Sequence, residues 1–288
     1  MRRSSGAASA RLELCVCVLH VAREPIARAL SQLGPLSLLA SGERDAIPIC
    51  IELWDVREGR VSFAGVEQDR LYEAASMLAG SACGALLGPL GSVSLGLAGR
   101  SYGAALSHAA TRMLGSYREL LIGVPEVRLA GAGPCYFVAG MRTDSPFAIA
   151  VDRVLGYGFD KRPATFEGTL AGGLAVRAGG PEGELLHART DTTPIETESA
   201  SAGFARVSAW LERPLLAGVR GRLALSKLRR AYPAHGLVSV DRAQLRLGAL
   251  HPWLARGEHR AEMFRMRDVA VELGLPAPAR ASELLRHG

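Results

Sequence analysis

One lysine in the segment Gly156–Arg162 has chemistry that the other basic residues of this chain cannot supply. Lys161 is one of only two lysines among 34 basic residues, the other being Lys227. Arginine stays charged throughout the accessible pH range, whereas a buried lysine loses its proton readily and then acts as a nucleophile or forms a Schiff base. The retained amine therefore indicates a chemical role for Lys161, with a chance placement as the alternative.

The composition predicts a globular protein with a large core. The chain has 288 residues, of which 48% are hydrophobic, enough for one large domain or two modest ones. The net charge of +6 comes from arginines spread along the chain without a run of five, so no nucleic-acid partner is predicted. The five cysteines are odd in number, and the seven histidines lack ligand spacing. These features predict reduced thiols in a cytoplasmic protein, with no metal site and no cofactor.

Short runs of β-forming residues between turn residues predict a mostly β chain with few helices. A helix is predicted over 23–33, where Pro25 suits the first turn and Gly34 follows the end. Residues 57–59 predict the turn of a hairpin, and 191–203 a polar loop. The predicted strands are 12–19, 47–56, 61–66, 120–124, 137–141, 147–155, 165–170, 174–178, 184–190, 237–240, 244–250 and 266–273.

Residues 74–99 contain no charged side chain and are long enough to span a bilayer. Gly80, Gly84 and Gly88 recur at the four-residue spacing that lets helices approach closely. The segment is nevertheless mostly Ala, Gly and Ser with a proline in its middle, so its transfer free energy into lipid is weak. We therefore favour a packed helical hairpin or a flexible excursion over a membrane span.

Several short motifs occur in an order that is similar to one known family. Ala148–Arg153 is followed a few residues later by Tyr157–Arg162. This pair resembles the acetoacetate decarboxylase superfamily, in which a strand ending Gly-Arg-Glu precedes an aromatic-Pro-Lys-Lys turn. Upstream, Tyr117–Glu119 resembles the family's Tyr-x-Glu, and Ile51–Leu53 resembles a strand that supplies a second acidic residue. Arg11 lies about where the family places an arginine. Each motif is short, so the resemblance depends mainly on the motifs occurring in the same order as in the family.

The resemblance implies a set of active-site residues. Lys161 would form the Schiff base, and Glu119 and Glu52 would be the acidic residues that orient substrate or transfer a proton. Arg11 would bind the substrate carboxylate, and Arg162 would replace the family's second lysine as the neighbouring cation. Because an imine-forming amine must be neutral, a lysine pKa near 10.4 has to fall toward 7, a shift worth about 4–5 kcal/mol.

The chain departs from the family pattern in this same region. Asp152 stands where the family has Gly, Val154 where it has Glu, and Asp160 where it has Pro. One residue too many separates the two motifs. An insertion near Gly156 places Lys161 on the Schiff-base position, and this alignment is preferred because the aromatic-Gly-aromatic residues then match. Without the insertion Asp160 falls there, and a carboxylate beside the amine would stabilise the ammonium.

The resemblance also implies the fold and domain organisation. We expect an α+β, mostly β chain with an acetoacetate decarboxylase-like β-barrel or sandwich. Residues 1–288 would form a single domain. The segment at about 61–112 has no counterpart in small members of the family and would be a helical insertion between two active-site strands.

The activity implied is that of a Schiff-base lyase, decarboxylase-like, acting on a 3-oxo acid or related keto acid. Two alternatives stay open. A relative could use the same imine for aldol or dehydration chemistry, and a non-catalytic member could bind an apolar or carboxylate ligand. The expected partner is thus a small-molecule keto acid or apolar carboxylate, with a homo-oligomer as a further possibility and a membrane partner disfavoured.

Overall fold

One large mixed sheet carries most of the described chain. The structure is a computed structural model that describes residues 6–34, 36–39, 45–63, 66–86, 88–101, 116–130, 133–155, 157–170, 174–191, 197–219, 222–226, 228–231, 237–274 and 277–278. The strands are β1 (Gly6–Ala22), β2 (Leu36–Leu38), β3 (Ala46–Phe63), β4 (Val66–Glu67), β5 (Tyr117–Leu129), β6 (Gly133–Thr143), β7 (Lys161–Pro163), β8 (Thr165–Thr169), β9 (Ala175–Gly180), β10 (Gly183–Asp191), β11 (Leu215–Val219), β12 (Arg222–Ser226), β13 (Leu228–Ala231), β14 (Leu237–Leu247), β15 (Gly257–Gly274) and β16 (Ala277–Pro278). The helices are α1 (Arg23–Leu33), α2 (Gln68–Ala85), α3 (89–101), α4 (Pro146–Leu155) and α5 (Thr197–Leu211).

The strand order confirms the α+β, mostly β prediction. It runs β16-β12-β11-β6-β5-β3-β1-β15-β14-β10-β9-β8, so the long strands β3, β1 and β15 lie at the centre. Among the described residues no pairing joins β16 to β8, and the sheet is therefore open rather than a closed barrel.

Each face of the sheet carries its own hydrophobic core, because neighbouring residues of a strand point to opposite faces. On β1, Cys15 and Cys17 belong to one core, while Leu14 and Val16 belong to the other. The second core also holds Trp54 of β3 with side chains of β5 and β6. This second face is the one that contains the candidate site.

The predicted hairpin around 57–59 is wrong, because β3 continues straight through these residues. They pair with β1, Arg11 facing Glu58 and Ala10 facing Gly59. The register shifts at Arg57, which is left as the extra residue of a bulge. Its guanidinium pairs with Glu13 of β1. The long antiparallel strand β1 thus provides hydrogen-bond partners for backbone groups that would otherwise have paired with each other across a turn.

The predicted strand over 147–155 is also wrong, since this segment is helix α4. Ser145 is its N-cap, accepting the backbone N–H of Ala148 at 3.1 Å, and Pro146 occupies the first helical position. The predicted polar loop over 191–203 overlaps α5, whose buried Val207 and Trp210 recur at helical spacing.

The remaining predicted elements agree with the structure in type. The helix over 23–33 is confirmed at both ends. The strands predicted over 237–240 and 244–250 join into the single strand β14, whereas β11 and β12 were missed.

Between the paired strands β3 and β5, the chain forms a helical hairpin of α2 and α3. The two helices touch backbone to backbone: a methyl group on Gly80 would overlap the carbonyl oxygen of Leu95, and one on Gly99 that of Ser76. No described helix is long and apolar enough to cross a membrane. Residues 64–65, 87 and 102–112 of the predicted insertion, like Lys227, lie outside the described residues.

The His251 side chain is expected to make the stability of the folded protein depend on pH. Burial, followed by the nearby Arg142, lowers the pKa of His251 to about 4. Its Nδ1 accepts the Trp253 backbone N–H at 3.3 Å, and its ring meets the Trp253 indole edge-on at 4.6 Å. The unfolded chain takes up a proton below about pH 6.5 while the folded chain does not, so stability falls as pH decreases.

We expect the free energy of unfolding to fall by about 2 kcal/mol more between pH 7 and pH 5 in the wild type than in His251→Asn. Urea titrations of both proteins at the two pH values measure this difference. Equal pH dependence in the two proteins would contradict the assignment.

Candidate active site

A cavity of about 90 Å³ opens on the face of the sheet that carries Trp54. A single water needs about 10–15 Å³ of such space, so several waters or one small organic molecule fit. Its walls come from the strands β1, β3, β5, β6, β7, β11 and β15, from helix α4 and from the loop 157–160. Most of the lining is apolar, and Lys161, Glu119 and Asp152 are its charged groups among the described residues.

Lys161 and Glu119 meet in this cavity. Strand β7 pairs in parallel with β6, placing Lys161 beside Met141, while β5 presents Glu119 to the same face. The Lys161 ammonium donates to Glu119, with Nζ and Oε1 2.5 Å apart. The Lys161 side chain is 12% exposed and that of Glu119 only 2%. The contact is therefore a nearly buried ion pair.

Asp160, the residue that sequence reasoning treated as adverse to the amine, turns away from the cavity. It adopts a left-handed conformation with φ of 48°. Its carboxylate accepts from Arg162 Nε at 3.1 Å and from its terminal nitrogen at 2.8 Å, and both side chains are exposed. This contact raises the pKa of Arg162. Asp160 is thus neutralised at the surface, and Arg162 does not contribute to the cavity lining.

The other two predicted site residues lie outside the cavity wall. Glu52 is fully buried on the same sheet face and accepts the indole N–H of Trp54 at 2.9 Å, so Trp54 stands between it and the cavity. Arg11 is exposed and borders a neighbouring surface depression with Glu58 and Glu272, which shares Ser9, Ala10 and Val271 with the cavity wall. The structure thus brings Lys161 together with Glu119 alone among the five predicted residues.

Asp152 is a cavity residue to which sequence reasoning gave no role. It lies on α4 and is 6% exposed. Its Oδ1 accepts the backbone N–H of Phe159 at 3.2 Å. Burial raises the pKa of Asp152, an effect that the Phe159 N–H and Lys161 partly offset. The signal in the sequence was the spacing of Ala148, Val151 and Asp152 at i, i+3 and i+4, which share one face of a helix but not of a strand.

Two phenols add hydrogen-bond donors to the lining. Tyr157 stacks on Phe159 with ring centroids 5.4 Å apart, and its buried hydroxyl has no hydrogen-bond partner among the described residues. Burial, and then Asp152, raise the pKa of Tyr157 to about 12. Burial, and then Glu119 and Asp144, raise the pKa of Tyr117 well above its usual value. Both phenols therefore remain protonated donors at neutral pH.

Within the described residues no group of three or more His, Cys, Asp or Glu side chains is placed to hold a metal ion. All five cysteines are free thiols, four of them buried and Cys83 exposed. The cavity therefore offers an amine, two carboxyl groups and phenols as its chemical groups.

Comparison with known proteins identifies the fold. No protein-family model matches the chain. No curated protein sequence matches it. Among solved structures, an acetoacetate decarboxylase from Legionella pneumophila superposes with a TM-score of 0.55 at 13% identity, covering 96% of this chain and 88% of that one. A second acetoacetate decarboxylase gives 0.53 at 12% identity, covering 95% and 89%. The enduracididine biosynthesis enzyme MppR gives 0.50 at 12%, covering 96% and 88%.

These similarities show that the chain has the acetoacetate decarboxylase-like fold, as the order of the sequence motifs predicted. At 12–13% identity they establish the fold alone. The activity depends on the side chains of this chain's own cavity, because one fold can support many functions.

Proposed function

We propose that this protein is a Schiff-base lyase in which Lys161 forms an imine with a small keto compound, a 3-oxo acid being the primary substrate class. The observation that supports this most is the Lys161 amine, 12% exposed in a mainly apolar cavity, in contact with a carboxylate that can take its proton. The structures with this fold that are named acetoacetate decarboxylase support the same choice.

The first step requires a neutral amine, and Glu119 is the proposed base. The ammonium of Lys161 passes one proton to Glu119, 2.5 Å away, and the freed lone pair attacks the substrate carbonyl carbon. Loss of water from the addition product gives a protonated imine. Glu119 returns its proton to the departing hydroxyl group, so it ends this step as a carboxylate beside the new cation.

The protonated imine then accepts the electrons of the bond that breaks. In a 3-oxo acid this is the bond to the carboxylate, which leaves as carbon dioxide while its electron pair forms an enamine. In a β-hydroxy ketone the same electrons come from a carbon–carbon bond to a carbinol. The protonated imine accepts the electrons in both reactions, so the same site suits aldol chemistry.

Asp152 is the proposed acid that protonates the enamine carbon. Glu119 accepts a hydrogen bond from the Lys161 amine group, whereas burial raises the pKa of Asp152 and favours its protonated form. Two carboxyl groups in different environments of one cavity can divide the roles of base and acid. The Phe159 N–H fixes the orientation of Asp152, and the Tyr157 hydroxyl is placed to donate to a bound carbonyl or carboxylate oxygen. Hydrolysis of the product imine releases Lys161.

Aldol or dehydration chemistry is the second candidate within this class. MppR has been solved with the condensation product of pyruvate and imidazole 4-carboxaldehyde, in a structure that superposes with a TM-score of 0.50. The molecule bound in that complex is thus a condensation product of a keto acid and an aldehyde. The non-catalytic alternative is favoured by a different observation, since a lysine that contacts a nearly buried carboxylate also fits a purely structural ion pair.

Borohydride trapping tests the proposal. The protein is incubated with acetoacetate, acetone or pyruvate, reduced, and analysed by intact mass and peptide mapping. We expect one covalent adduct on Lys161 and none in Lys161→Arg, which keeps the positive charge but cannot form an imine. Wild-type protein that stays unmodified while the same ketones raise its melting temperature would instead support the non-catalytic binder.

A further inference from the structure

The hairpin of α2 and α3 leaves an unusual amount of apolar surface open to solvent. Every large hydrophobic side chain that is exposed among the described residues lies between residues 77 and 97. They are Met77 (40% exposed), Leu78 (67%), Leu86 (90%), Leu90 (83%), Val93 (62%), Leu95 (39%) and Leu97 (60%). Large exposed apolar patches of this kind mark interaction sites.

Inside the hairpin, small residues already satisfy the contact between the two helices. Gly80, Gly96 and Gly99 lie where any side chain would overlap the opposite helix. The Ser92 hydroxyl donates to the Ser81 carbonyl oxygen across the contact at 3.1 Å. The leucines are therefore not needed to hold the hairpin together, and they face outward.

Three of the outward residues form a stripe on α3. Leu90, Val93 and Leu97 are spaced i, i+3 and i+7, which places them on one side of the helix. This is the spacing at which one helix packs against another. A stripe of this kind fits a helical partner.

The apolar area of the hairpin is comparable to what a symmetric dimer requires. Fully burying a leucine-sized side chain removes about 60–120 Å² from water, and the exposed fractions of the seven side chains together equal about 4.4 whole side chains, so they offer about 260–530 Å² per copy. A standard interface covers about 800 Å² per partner, and homodimer interfaces are about 65% apolar, which is about 500 Å². One hairpin thus supplies at least about half of the apolar area of such an interface.

The charge distribution also fits a second copy of this chain. The protein carries a net charge of +6, so two copies repel each other at long range. Residues 74–99 contain no charge, and the pair at the base of the hairpin, Arg100 Nε to Glu73 Oε2 at 3.1 Å, is mutually neutralised. The hairpin is therefore the region where two copies can meet without charge conflict.

We propose that the α2–α3 hairpin is a self-association element, which packs against the same hairpin of a second copy to form a four-helix interface. This interface is separate from the cavity around Lys161, and its existence does not depend on the reaction catalysed there.

Sedimentation velocity of the wild type and of Leu90→Glu/Leu97→Glu tests this proposal. We expect a dimer at micromolar concentration for the wild type, and a dissociation constant at least about 100-fold weaker for the double variant, because two unpaired carboxylates would be buried in the interface. Gln32→Glu places the same charge on the exposed face of α1 and should leave the dimer intact. A monomeric wild type, or a double variant that remains a dimer, would overturn the proposal.

Cys83 gives a second measurement that does not depend on the folding of a variant. It is the exposed thiol of α2, while the other four cysteines are buried, so a spin label attaches there selectively. Since α2 spans about 27 Å, two paired hairpins hold their labels within about 40 Å of each other. A dimer with no label pair inside that range would refute the proposal, as would a monomer that binds neutral phosphatidylcholine vesicles.

Discussion

Asp152→Asn is expected to slow the exchange of a ketone's α-hydrogens with solvent by about 10²–10⁴-fold, the range typical of a lost general acid–base group. Asparagine keeps the volume of the side chain and an oxygen that accepts the Phe159 N–H, so the loop leading to Lys161 stays in place. It has no proton to transfer to an enamine carbon. Loss of the methyl proton signal of acetone in deuterated buffer, followed by NMR, measures the rate.

The pH profile of the same reaction separates a proton donor from a structural residue. Exchange of a ketone begins when the Asp152 carboxylate takes an α-proton from the protonated imine, so it needs the ionised form of Asp152. Because burial raises the pKa of Asp152, exchange should begin to decline, as the pH is lowered, already above the usual range for aspartic acid. Asp152→Asn should lack that decline. Asp160→Asn is the matched control, since it removes a carboxylate from the same loop that is exposed and bound to Arg162. Its rate should stay within about twofold of the wild type.

Borohydride trapping completes this test. Asp152→Asn should lose far more exchange than trapping, with trapping reduced by less than about tenfold. If both fall together, Asp152 acts only by positioning Lys161. Exchange that proceeds at the wild-type rate would remove Asp152 from the mechanism.

Local sequence signals predicted the elements that depend on local chemistry. The helix over 23–33 was correct because Pro25 and Gly34 mark its two ends. The central strands were recognisable because Cys15, Val16 and their neighbours are β-forming and buried on both faces. The pairing of Lys161 with Glu119 came from motif order, since no local pattern relates residues that are 42 positions apart.

The errors arose where distant contacts or caps decide the structure. Residues 57–59 look like a turn, but β1 provides a long partner that keeps them extended. Phe147–Leu155 is rich in β-forming residues, yet the Ser145 cap and Pro146 begin a helix there. That error hid Asp152, because only a helix turns the neighbours Val151 and Asp152 toward the same cavity as Ala148. Nothing local in the sequence indicated that Arg11 would lie outside it.

The ion pair between Lys161 and Glu119 should dominate the stability of the site. Removing either partner leaves the other charge nearly buried, at 12% exposure for Lys161 and 2% for Glu119. We expect Glu119→Leu to lower the free energy of unfolding by about 3–5 kcal/mol, the cost typical of an uncompensated buried charge. Urea denaturation followed by circular dichroism measures the loss.

The double variant Lys161→Met/Glu119→Leu should be more stable than Glu119→Leu, because it leaves no buried charge without a partner and fills the site with apolar groups. The exposed pair of α1, Arg28 with Glu24, has the same 2.5 Å separation at 70% and 71% exposure. Glu24→Gln should change stability by only about 0.3–0.5 kcal/mol, because solvent screens that pair. If Glu24→Gln and Glu119→Leu cost the same, the Lys161–Glu119 contact is solvated, and the apolar cavity does not shield this pair from water.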